Sequence, residues 1–294
     1  MDKLIIEARI NEYAGRSHNP HVPWTPAEIA ATAAQCREAG AAVVHFHARD
    51  AQGGAEHGSA ANREIITRIK AGSDILVHPT LGAFTHGGDA RTRLAPVLEL
   101  ALDPASRPHL APLDMGSANV DGYDRANHRF HSTEAVYVNT TGTLLYFAEQ
   151  LAGAGIKPYA VSWNVGFTRQ LLAFMDMGAI AEPAYLCFVL TGDDLPAGHP
   201  GTLAGLEAHR AFLPSDRAIH WTVCCHGGDL LALAPQVIAL GGHISIGLGD
   251  WPYTELGTPT NAEVIARIAA MARAQGREIA TPEEARAMLG IPVR

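Results

Sequence analysis

Charge is scarce in this chain. Only 18% of the 294 residues are charged, and Asp and Glu outnumber Lys and Arg, 30 to 22. The net charge of -8, with histidine neutral, argues against the basic face that a nucleic-acid partner requires. Cysteine is scarcer still. Cys36, Cys187, Cys224 and Cys225 show no CxxC spacing, so neither a zinc ribbon nor a disulfide framework is indicated, and a reducing cytoplasm suits them best. Long apolar runs are missing as well: none approaches the roughly 20 residues that span a bilayer. The short N-terminal run Leu4-Ile5-Ile6 is flanked by Asp2, Lys3 and Glu7 and does not read as a signal peptide. The expectation is a soluble cytoplasmic protein with no nucleic-acid and no membrane partner.

What the chain has is regular alternation. Leu4–Ile10 reads as a first strand, followed by a polar loop, Asn11 to Trp24, that holds Glu12, Arg16, His18 and His21. Thr25-Pro26-Ala27-Glu28 starts a helix, with Thr as N-cap, Pro in the first turn and Glu three residues after Thr. Thr260-Asn261-Ala262-Glu263 repeats the device, and Thr281-Pro282-Glu283-Glu284 starts a last short helix. Between these lie Asp74–His78, a weak strand at His109–Leu113, a long loop from Asp114 to Ser132, and strands at Tyr159–Trp163, Ala184–Leu190, Ala218–Cys224 and His243–Leu248. About eight strands, nearly all followed by helices and with no linker between them, predict one TIM (β/α)8 barrel domain over residues 1–294. An open doubly wound sheet would show a Gly-rich phosphate turn after its first strand. Ile10-Asn11-Glu12-Tyr13 has none.

In such a barrel the chemistry sits at the strands' C-terminal ends. The stretch Val43-Val44-His45-Phe46-His47-Ala48-Arg49-Asp50 ends the second strand, and alternation puts His45 and His47 on one face. Two neutral imidazoles there can hold two cis positions on a metal, zinc first among the divalent ions. Thr80 follows the third strand and Asp114 to Asn119 the fourth. Cys225-His226 follows the seventh and Gly249-Asp250 the eighth.

His45-Phe46-His47-Ala48-Arg49-Asp50 resembles the HxHxRD signature of the β-keto acid cleavage enzymes, and the similarity runs nearly end to end. It takes in Trp24–Glu28, Gly116-Ser117-Ala118-Asn119, Gly241-Gly242-His243-Ile244, Gly247-Leu248 with Asp250, and the tail Gly276–Glu283. The resemblance implies a zinc-bearing TIM barrel, usually a homo-oligomer, that acts on a small β-keto acid with acetyl-CoA as co-substrate. It also implies His45 and His47 as metal ligands, Asp250 as the catalytic aspartate, and Thr80 and Asn119 as substrate-binding residues. Four positions depart from the family pattern: Gly249 stands where the third metal ligand, a glutamate, is expected, Ser245 for an arginine, Val161 for a second glutamate and Pro112 for a threonine. Of the groups that could complete the metal's shell, His226 is preferred over Cys225 and Asp250. Two other readings stay open: a metal hydrolase using His45, His47, His226 and Asp250, and a non-catalytic metabolite-binding barrel.

Overall fold

The computed structural model describes residues 2–81 and 89–292; of Pro79-Thr80-Leu81-Gly82, which the sequence reads as the loop after the third strand, Gly82 lies outside them. Eight parallel strands form the frame: β1 (Ile6–Arg9), β2 (Val43–Phe46), β3 (Leu76–Pro79), β4 (Leu110–Asp114), β5 (Lys157–Ser162), β6 (Ala184–Thr191), β7 (Ile219–His226) and β8 (His243–Ile246). They hydrogen-bond in the order β3-β2-β1-β8-β7-β6-β5-β4. His109, just ahead of β4, closes the ring. Its backbone N–H donates to Val77 O at 2.9 Å, and its Nδ1 accepts from Val77 N at 2.8 Å. The chain is a TIM (β/α)8 barrel, as the alternation predicts.

Helices α1 (Pro26–Ala39), α2 (Ser59–Gly72), α3 (Ala90–Ala101), α4 (Thr141–Ala154), α5 (Val165–Asp176), α6 (Leu203–Arg210), α7 (Ala234–Ala239) and α8 (Asn261–Ala274) each follow a strand, and α9 (Pro282–Met288) ends the chain. The three capping boxes read from the sequence are present at α1, α8 and α9. None of the described helices is long and apolar enough to cross a membrane. The sequence reads as a helix over Leu230–Leu240, but only α7 forms there, because Pro235 suits only a first turn and Leu230 to Leu233 form turns instead. The stretch expected as a long loop, Asp114 to Ser132, holds one small antiparallel ribbon and one strand of a second, whose other strand lies in Glu134–Val138, a piece that the sequence reads as extended. Ala118–Asn119 pairs with Val136–Tyr137, and Tyr123–Asp124 with Arg129–Phe130.

The period of two along each strand separates packing from chemistry. Ile6, Ala8, Val44 and Phe46 are fully buried apolar side chains. Glu7 and Arg9 alternate with the first two, and His45 with the second pair, so these polar groups turn to the other side, into the barrel.

Candidate active site

The end of β2 presents both histidines as alternation predicts: His45 Nε2 and His47 Nε2 lie 3.2 Å apart, and both rings are buried. His45 Nδ1 lies 2.9 Å from the His78 carbonyl. A carbonyl only accepts, so Nδ1 carries the proton and Nε2 keeps its lone pair. The third member of the cluster is Glu12. Its Oε1 is 3.1 Å from His45 Nε2 and its Oε2 2.8 Å from His47 Nε2. One ligand atom from each of the three falls within 4.8 Å of the others.

Glu12 is held there by the loop after β1. Its φ of 35° lies in the left-handed region, which a side chain other than glycine adopts only when its surroundings require it. Those surroundings are specific. Asn11 Nδ2 donates to Pro23 O and to His47 O, and Asn11 Oδ1 accepts from His47 N. The Arg49 guanidinium donates to Asn11 O, Glu12 O and Gly53 O. Arg49 of the HxHxRD run therefore fastens the β1 loop to the β2 loop. Arg9 Nη2 lies 2.9 Å from Glu12 Oε1, and Arg9 Nε donates to Asp250 Oδ2 at 2.8 Å, so one guanidinium serves two buried carboxylates. Burial would raise the Glu12 carboxyl, but Arg9 and the two imidazoles hold it well below the ordinary range.

Beneath this cluster lies a second one, which the sequence reading did not single out. Glu7 is fully buried and accepts from His78 Nδ1 (2.7 Å), Tyr159 OH (2.7 Å) and Ser245 Oγ (2.5 Å). Burial would raise its carboxyl, but His78 holds it at about 2. His47 and His78 are both pushed down to about 4, chiefly by burial. Both rings are therefore neutral in the native state at neutral pH.

This has a consequence in acid. The unfolded chain protonates each histidine near 6.5, so between pH 6.5 and about 4 it binds more protons than the native state. Stability present in full above pH 6.5 is lost as the pH falls, roughly 1.4 kcal/mol per pH unit for each ring. Urea unfolding in the presence of a chelator should show this loss between pH 7.5 and 5. A flat profile would mean that the rings are not buried neutral.

A cavity of about 110 Å³ opens above the cluster. Glu12, His45, His47, His78, Thr80, Asp114 and His226 are among its lining residues. Asp114 accepts from Tyr137 OH and Trp163 Nε1, both at 2.7 Å, and burial raises its carboxyl. His226 does not join the Glu12–His45–His47 cluster. Its Nδ1 lies 3.5 Å from Asp250 Oδ1, at the other side of Arg9. Asp250 is buried behind Arg9 and is not among the described residues that line the cavity. Cys225 is buried, and its thiol is pushed up to about 12 by burial, the reverse of what a thiolate ligand needs. Asn119 is exposed on its short ribbon, where it lines a separate groove with Asp121, Phe130 and Ser132.

The donor set fits a divalent cation. Two imidazole nitrogens converge with one ionised carboxylate, all three side chains buried, and two nitrogens with one carboxylate oxygen are a set that zinc takes. Two nitrogens at about 2.0–2.1 Å from a tetrahedral zinc would sit roughly 3.3 Å apart, against 3.2 Å here.

Residues 3–291 match the family described as beta-keto acid cleavage enzyme. The chain belongs to that family. A 3-keto-5-aminohexanoate cleavage enzyme from Fusobacterium nucleatum subsp. nucleatum is 31% identical over 295 residues, covering 99% of each chain. A 3-dehydrocarnitine:acetyl-CoA trimethylamine transferase from Rhizobium meliloti is 29% identical, covering 95% of this chain and 93% of its own. Among solved structures, ObcA in its apo form shares the fold, with a TM-score of 0.72 at 16% identity over 93% of this chain and 66% of that longer one.

Three charges of the site, Glu7, Arg9 and Glu12, stand on β1 and the loop that follows it. Glu7 lies opposite Ser245 in register and accepts its hydroxyl. Arg9 holds Asp250, and Glu12 fills the space beside Gly249. The visible signal was two charges, Glu7 and Arg9, alternating inside an otherwise apolar parallel strand, where charges are rare unless paired.

Proposed function

We propose that this member of the family cleaves a small β-keto acid with acetyl-CoA as co-substrate, using a zinc ion held by His45, His47 and Glu12. The observation that carries this is the convergence of those three side chains at the mouth of the barrel, on the wall of the cavity. When bound, the ion supplies a positive charge for the keto and carboxylate oxygens of the acid. Thr80, on the same wall, is assigned to the acid, and Asn119, outside the cavity, is not.

The chain's own groups move the proton. Arg9 engages Asp250 Oδ2 and leaves Oδ1 buried without a hydrogen-bond partner, 3.5 Å from His226 Nδ1. His226 lines the cavity, so its ring takes the proton from the carbon between the two carbonyls, and Asp250 orients the ring and stabilises its charged form. Asp250→Asn and His226→Ala are each expected to lower kcat by about 10²–10⁴-fold. The double variant should be no slower than the slower single one. Unchanged turnover in His226→Ala would remove that ring from the mechanism.

The reading as a whole is tested by zinc analysis of the purified chain and by incubating a panel of β-keto acids with and without acetyl-CoA. A new acyl-CoA detected by mass spectrometry supports it. Cleavage that proceeds without the thioester would identify a hydrolase, and a zinc-free chain would overturn the metal site. The four free, buried cysteines suit a cytoplasmic setting. Exposed Phe130 and Val136 on the ribbons after β4, with Val138 just beyond, suit a contact between copies in a homo-oligomer.

A further inference from the structure

We propose that Gly249 decides which residue supplies the metal's carboxylate: because position 249 has no side chain, Glu12 can reach the two histidines. This rests on the metal reading above. A Cβ at 249 would lie 2.5 Å from Glu12 Cγ, 2.8 Å from Glu12 N and 2.9 Å from Arg9 O, whereas non-bonded carbons settle at about 3.5–4.0 Å. The φ of Gly249 is outside the left-handed region, so this glycine is needed for room and not for backbone freedom. The backbone cannot yield easily. Gly249 N donates to Arg9 O at 3.0 Å, tying position 249 to β1. Arg49 and Asn11 pin the loop around Glu12 from the opposite side. Two of the three contacts at 249 are with backbone atoms, so a side chain there displaces both the Glu12 side chain and the loop that carries it, away from His47. A carboxylate carried at 12 and a side chain carried at 249 thus compete for one volume, and only one of the two positions can serve the metal.

The geometry assigns Gly249 as a positioning residue that acts through Glu12, and a double-mutant cycle on zinc affinity tests that. The wild-type chain, Glu12→Ala, Gly249→Ala and the double variant are titrated with Zn2+ alone against a competing chelator. Gly249→Ala is expected to weaken zinc binding at least tenfold in the wild-type background and by less than twofold in the Glu12→Ala background. Equal losses in the two backgrounds, or no loss in the first, overturn the proposal, since a merely structural glycine would act alike in both. Should Gly249→Ala alone prove too unstable to titrate, urea unfolding of the double variant decides: loss of the 2.5 Å contact with Glu12 Cγ is expected to raise its midpoint above that of Gly249→Ala, and a midpoint no higher overturns the proposal. A wild-type chain that takes up no zinc removes the metal reading and this inference with it. A wild-type chain that binds zinc but shows additive losses removes only the inference.

Discussion

His47→Ala is expected to lower both zinc affinity and turnover, affinity by more than a hundredfold and kcat by about a thousandfold, with the barrel intact. His47 Nε2 is 3.2 Å from His45 Nε2 and 2.8 Å from Glu12 Oε2, so its loss leaves two of three protein ligands. Changes one shell further out in metal sites cost about 10–100-fold in affinity, and a direct ligand costs more. A bound cation contributes several kcal/mol of charge stabilisation to the reaction, and each 1.36 kcal/mol is tenfold in rate, which gives the thousandfold figure. The apo barrel should survive, because His47 Nδ1 is buried without a hydrogen-bond partner and its ring resists protonation. Removing it should even soften the acid sensitivity below pH 6.5, since one fewer ring is protonated on unfolding. Zinc titration, steady-state kinetics and urea unfolding on the same preparation check all three statements. Turnover at the wild-type level would contradict the site.

Glu7→Ala is expected to act on stability, by about 3 kcal/mol or more. Among the described residues, the carboxylate is the one hydrogen-bond partner of three buried donors: His78 Nδ1, Tyr159 OH and Ser245 Oγ. Removing it leaves three polar groups unsatisfied inside the barrel, and each unsatisfied group carries a desolvation penalty of about 1–3 kcal/mol. The barrel's tight interior also limits how far neighbours can close the gap. Because the folded carboxyl sits at about 2 and the unfolded one near 4.5, the native advantage is complete above pH 4.5 and is lost as pH falls toward 2. The wild-type and variant curves should therefore converge in strong acid. Urea midpoints at pH 7 and pH 3 measure both the gap and its closing. A variant as stable as the wild type at pH 7 would mean that water or a shifted side chain replaces the carboxylate at little cost.

Much of the frame was legible because it depends on local patterns. Thr25 and Glu28 sit three residues apart, and the capping box needs nothing else. His45 and His47 share a face because strand side chains alternate, whatever the strand packs against. Errors in the frame arose where local signals were weak. Leu230–Leu233 carried a helical apolar pattern but led into Pro235, and the segment after β4 formed its ribbons through pairings 17 or more residues apart in the case of Ala118–Asn119 with Val136–Tyr137.

The site itself divides along the same line. From its residues in order, the chain specified a barrel and placed two imidazoles at the end of the second strand, since both follow from the strand's own repeat and the helices between strands. Which third group meets those imidazoles was settled by the closing of the barrel. Closure brings the loop after β1 between the ends of β2 and β8, where Glu12 is pinned by Arg49 from one and given room by Gly249 from the other. His226, on β7, is carried instead to Asp250. No spacing in the sequence encodes that choice, because the partners are separated by up to 237 residues (12 to 249) and meet only when parallel strands one and eight pair.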